Sequence, residues 1–131
     1  MTKNLDRTGL KSIADQYDLL FIDLWGVVHN GIKLYRQSIE VLEKLSEMKK
    51  ELVLLTNAPR PNYNVIEFLK RMGLEEKFCS KVYTSGEAAL NYLNLNFKNK
   101  AFFHLGPPRD FGLFNTFKKN KVQNIDEADY L

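Results

Sequence analysis

A single cysteine, Cys79, excludes an intrachain disulfide and leaves the chain compatible with a reducing compartment. No apolar run approaches the ~20 residues that a membrane-spanning helix needs. The N-terminal MTKNLDRTGLK also lacks the apolar segment of a signal peptide. A soluble, cytoplasmic protein is the expectation. Neither sign of charge dominates: the net charge is +3, and the lysines and arginines are dispersed apart from small groups such as Lys118, Lys119 and Lys121. A nucleic-acid binder would carry a denser basic stripe or interleaved aromatics, so neither a nucleic-acid nor a membrane partner is expected. Internal repeats and low-complexity tracts are missing too, although Asn91 to Lys100 (NYLNLNFKNK) is rich in asparagine and lysine and reads as a connection.

What is present suits one globular domain: 131 residues, 44% of them hydrophobic and 12% aromatic. The chain is organised around Leu19 to Gly31, LLFIDLWGVVHNG. Its apolar start reads as a buried strand of a parallel sheet, and Asp23 arrives where that strand meets Trp25 and Gly26. An acid at the carboxyl end of such a strand faces the crevice in which open α/β sheets bind ligands.

The rest of the chain repeats strand, polar turn and helix. Thr8 is positioned to cap a short helix through Tyr17. Trp25 to Tyr35 carries Gly26 and Gly31 and no clean period, as a flap over the strand end would. Ser38 to Lys50 is an amphipathic crossover helix, Leu52 to Leu55 a second strand, and Tyr63 to Met72 a second helix stopped by Gly73. A right-handed βαβ crossover brings Asp23 and Thr56 to the same sheet edge. Leu74 to Phe78 is a turn or short helix, Lys81 to Thr84 a third strand, and Ser85 the cap of a helix over Gly86 to Leu95. Ala101 to Leu105 predicts a fourth strand, Phe111 to Lys119 a short helix, and Lys121 to Ile125 a weak strand. Ala128 to Leu131 reads as the opening of another strand, so an N-terminal fragment of a longer protein is expected.

Asp23 beside Thr56 and Asn57 suits phosphoryl transfer through a covalent aspartyl phosphate, with the carboxylate as nucleophile. The Thr56 hydroxyl, the Asn57 amide and nearby backbone N–H groups would hold the phosphoryl oxygens, and a magnesium ion would offset the charge between two anions. The plainer alternatives are an acid capping its turn and an ordinary Thr-Asn turn. Their joint occurrence at successive strand ends weighs against both.

Phe21 to Gly31 (FIDLWGVVHNG) and Leu52 to Arg60 (LVLLTNAPR) resemble motifs I and II of the haloacid dehalogenase superfamily. Val82 to Leu93 (VYTSGEAALNYL) and His104 to Asp110 (HLGPPRD) resemble its class IIA branch, the nitrophenyl-phosphatase-like and sugar-phosphatase-like enzymes. The resemblance implies a Rossmann-like α/β core with flanking helices and a magnesium-dependent aspartate nucleophile. It also implies a large α/β cap inserted after the third core strand. The incomplete core would occupy residues 1–96 and the start of the cap 97–131. By position Asp23 is the nucleophile and a metal ligand, Thr56 and Asn57 bind phosphate, and the main-chain carbonyl of Trp25 is a second metal ligand. Arg60 is a candidate for an anionic substrate group, and Arg109 for a contact at the cap.

Two departures bear on activity. The family's second aspartate, two residues after the nucleophile, serves as general acid and base, and here that position is Trp25. Such assistance contributes ~10² to 10⁴ in rate, so its loss predicts a slow enzyme unless another group, of which His29 is nearest, stands in. The later lysine and Gly-Asp motifs that complete the magnesium site do not occur in residues 57–131. Weak or absent magnesium binding and little activity are therefore expected of this chain alone. A non-catalytic relative that binds a small phosphorylated or anionic molecule is a second reading. A structural fragment that pairs its open sheet edge with another copy is a third. Cys79 and His104 read as structural residues, and Trp25 as a substrate stack or a filler of the flap.

Overall fold

The computed structural model describes residues 5–131, with the side chains of 109–111 outside that description. Three parallel strands form one sheet in the order β1 (Leu19–Asp23), β2 (Glu51–Thr56), β3 (Val82–Thr84). Leu20 is in register with Leu52, Asp23 with Leu55, and Thr56 with Thr84, so all three strands end at one edge of the sheet. This is the expected α/β parallel sheet with flanking helices.

The alternation along the strands decides which face is covered. Leu20, Ile22, Leu52, Leu54 and Val82 point to one side, where they pack with Leu42 and Leu45 of helix α2 (Arg36–Glu47) and Val65 and Leu69 of α3 (Asn62–Arg71). The short α1 (Leu5–Thr8) precedes the sheet. Helix α4 (Glu76–Cys79) closes the same core with Phe78 and Cys79, and Leu24 and Val28 cover its upper end. Leu19, Phe21, Leu55 and Tyr83 point to the other side and are exposed, Phe21 to 66%. A parallel sheet is ordinarily covered by helices on both faces. Among the described residues one face is bare.

The crossover helices begin and end close to their periodic residues, and Gly73, at φ +94°, terminates α3. Ser85 is not the cap of α5 (Ser85–Asn96). Thr84 is, its hydroxyl accepting the Glu87 N–H at 2.9 Å, and the helix runs through the asparagine-rich stretch to Asn96. The helix expected behind Thr8 is replaced by two 3₁₀ turns, Leu10–Ser12 and Ala14–Gln16. Segments this short do not repay the ordering of a helical nucleus, yet Ala14 still reaches the core.

Beyond Asn96 the expected strands do not form. Phe102 makes isolated bridges to Lys121 and Tyr130, and a 3₁₀ run spans Pro108–Asn120 where a shorter helix was expected. Phe102 instead anchors an aromatic cluster, with Phe114 and Tyr130 centred 5.0 and 5.8 Å away and Phe97 5.0 Å from Tyr130. None of these belongs to the main core cluster.

Candidate active site

Asp23 ends β1 with its carboxylate exposed, and its Oδ1 accepts the Leu24 N–H at 2.8 Å. Because Asp23 is in register with Leu55, the next residue of β2, Thr56, stands one step above it at the sheet edge. Thr56 is buried, and its Oγ1 accepts the Ala58 N–H at 3.3 Å, which turns the chain and leaves Asn57 exposed. An open groove of about 450 Å³ is lined by Phe21, Asp23, Leu55, Thr56 and Asn57. The three residues nominated for nucleophile and phosphate contacts therefore meet in one place.

A second cleft, about 380 Å³, begins at Thr56 and is lined by Trp25, His29, Pro59, Arg60, Val65 and Phe68 among others. Trp25 is 64% exposed, and its indole lies on Gly31, whose φ is +86°. That φ favours glycine, and a Cβ there would sit 2.6 Å from Trp25 Cη2 and push the ring aside. The indole meets His29 edge-on at 5.6 Å, and His29 meets Phe68 at 5.7 Å, forming an aromatic wall. The Trp25 carbonyl accepts no hydrogen bond among the described residues.

His29 is 5% exposed and accepts the Gly31 N–H at Nδ1, 2.9 Å away, which puts the ring proton of the neutral form on Nε2. Burial lowers its pKa, and the Asp23 carboxylate pulls in the opposite direction. A histidine held neutral, with one nitrogen committed to the backbone, is a poor substitute for a carboxylic acid that donates a proton.

The loop carrying Asn57 and Arg60 is stitched to the start of α5. The Thr84 hydroxyl donates to the Arg60 carbonyl at 2.5 Å, and Ser85 Oγ and Gly86 N both donate to the Ala58 carbonyl at 3.1 Å. Thr84 N donates to Asn62 Oδ1, and Asn62 N donates to Glu87 Oε2, each at 2.9 Å. Asn62, Thr84, Gly86 and Glu87 thus position the loop, a role not anticipated above. The signal was Thr84-x-x-Glu87, a capping-box spacing, here with the glutamate turned outward to the neighbouring loop.

Arg60 is exposed and lines the second cleft, with no ion pair among the described residues. The Arg109 side chain lies outside the described residues. His104 packs against Phe114 at 5.3 Å. Cys79 is buried, and that burial raises its thiol pKa, the opposite of an activated nucleophile.

Asp23 and the open Trp25 carbonyl are hard oxygen donors of the kind magnesium takes, but no cluster of three or more acids, histidines or cysteines occurs among the described residues. The donor type fits the ion and the donor number does not. No helix among the described residues is long and apolar enough to cross a membrane.

Residues 20–119 match the family model described as haloacid dehalogenase-like hydrolase. Among solved structures, the chain is similar to a haloacid dehalogenase-like hydrolase from Brucella suis 1330, at 29% identity and a TM-score of 0.69. That match covers 81% of this chain and 38% of the other. A putative nagD protein matches at 27% identity and a TM-score of 0.67, over 88% of this chain and 45% of that one. A 4-nitrophenylphosphatase from Thermotoga maritima matches at 26% and 0.65, over 86% and 42%. The chain therefore spans less than half the length of these relatives. No curated protein matches it.

Proposed function

Since this chain belongs to the haloacid dehalogenase-like hydrolase family, we propose that it carries the nucleophile half of a class IIA phosphatase that acts in the cytoplasm on a small phosphomonoester. The observation that carries this reading is the convergence of Asp23, Thr56 and Asn57 on one groove at the ends of adjacent parallel strands. Asp23 attacks phosphorus, the alcohol leaves, and water then releases phosphate from the aspartyl phosphate. Thr56 and Asn57 hold the equatorial oxygens, and the stitched loop keeps them in place during the attack. Asp23 and the Trp25 carbonyl are the residues that would hold magnesium, whose chemistry there is neutralisation of phosphoryl charge. One carboxylate holds it weakly, so these residues alone turn over slowly or not at all. The aromatic cluster around Phe102, separate from the main core, supports a core over residues 1–96 and the start of a cap over 97–131.

The test is hydrolysis of 4-nitrophenyl phosphate by the protein in the form its source cells make, with its intact mass compared against 15.3 kDa. Asp23→Asn lowers turnover by at least about a thousandfold if the carboxylate is the nucleophile. Unchanged turnover overturns the assignment. A second reading is favoured by Trp25, which occupies the acid–base position with its ring lying on Gly31: a non-catalytic relative that binds a phosphorylated or anionic molecule. It predicts saturable binding of inorganic phosphate without hydrolysis in any form of the protein.

A further inference from the structure

A third cleft, about 340 Å³, lies beside α3 and shares Arg60, Asn64 and Phe68 with the cleft that begins at Thr56. Tyr63, Arg71 and Asn115 complete its polar lining, and no carboxylate lines it among the described residues. Neither Arg60 nor Arg71 forms an ion pair among the described residues, whereas neighbouring Lys70 is engaged by Glu76 at 2.6 Å. The Arg60 carbonyl is fixed by the Thr84 hydroxyl, and Arg71 Nε donates to the Glu67 carbonyl at 3.3 Å.

We propose that this third cleft binds a second anionic group of the substrate, so that the molecule acted on is a phosphomonoester whose far end carries a carboxylate or a second phosphate. The proposal rests on the phosphatase reading for the position of the reacting phosphoryl group alone. From Thr56 the substrate body runs along Trp25, Val65 and Phe68, a mainly apolar passage, and its tail reaches two guanidinium groups that no carboxylate pairs with among the described residues. Planar guanidiniums match carboxylate and phosphate oxygens bidentately, and a concave surface excludes part of the competing water. An uncharged tail would gain little there.

The experiment compares two probes that differ only in charge: 4-carboxyphenyl phosphate and its amide isostere, 4-carbamoylphenyl phosphate. Each is titrated into the chain, and binding is read from the fluorescence of Trp25, the only tryptophan. The carboxylate probe binds about tenfold more tightly, as expected for a charge-assisted pair in a partly exposed cleft. Arg71→Gln brings the ratio close to one and Arg71→Lys retains part of it. Lys44→Gln, an equal charge change on the last turn of α2, leaves the ratio intact. A ratio near one in the unaltered chain, an unchanged ratio in Arg71→Gln, or no binding of either probe overturns the proposal. Equal binding of the two probes leaves the phosphatase reading standing, whereas a carboxylate preference without hydrolysis in any form of the protein removes the catalysis and keeps the subsite.

Discussion

His29 couples the flap to the sheet edge, and its protonation state gives a prediction of its own. Its Nδ1 accepts the Gly31 N–H, and that bond requires an unprotonated nitrogen. Burial lowers the folded-state pKa below the ordinary value, more than Asp23 raises it. Below the unfolded value the unfolded chain takes up a proton that the native chain refuses, so stability falls as pH drops and is fully present above that value. Thermal melts between about pH 5.5 and 7.5 therefore show a rising midpoint. His29→Asn, whose Oδ1 can take the acceptor position, flattens that rise. An equal slope in the variant would assign it to other groups. The sequence made His29 visible as the nearest titratable group to Asp23, but not its commitment to Gly31, because a short backbone contact across a flap has no periodic signature.

Between residues and the whole molecule stands the loop from Asn57 to Pro61, and its rigidity depends on α5. Gly86 packs so closely on this loop that a Cβ would lie 2.5 Å from the Arg60 carbonyl oxygen, among backbone atoms that cannot rotate away. Gly86→Ala should cost about 1–3 kcal/mol in urea unfolding and weaken phosphate binding, because the displaced loop carries Asn57 and Arg60. A loss below about 0.5 kcal/mol would mean that the loop moves aside freely. At this scale the sequence was legible wherever one period ran long enough. The apolar rows of α2 and α3 and the runs of β1 and β2 each repeat over several residues and bury one face. It was not legible where an element depends on a partner. Ala101 to Leu105 has the composition of a strand, but only Phe102 finds bridges, so the pattern remains without a sheet to join. The meeting of Asp23 with Thr56 was readable because strand ends and crossover handedness fix it. The stitching of Thr84 to Arg60 was not, since it joins residues 24 apart through one hydroxyl.

At the scale of the whole molecule, the bare sheet face sets the behaviour. Parallel sheets are ordinarily covered on both sides, yet Leu19, Phe21, Leu55 and Tyr83 are exposed and β1 pairs only with β2 among the described residues. Two kinds of cover differ in what they do to the site. Two copies joined through their β1 edges by a twofold axis pair antiparallel, which sends their Asp23 residues to opposite ends and completes neither groove. A further parallel strand beside β1 brings its carboxyl end next to Asp23, where carboxylates for a metal would be useful. We therefore expect the 131-residue chain alone to self-associate through this face without gaining activity. Sedimentation velocity over a concentration series checks this: the unaltered chain gains mass with concentration, and Phe21→Lys shifts it toward monomer. Phe21 lies outside the core cluster, so the variant should melt close to the unaltered chain. A chain that stays monomeric throughout would show that the exposed face and the open strand edge do not drive association.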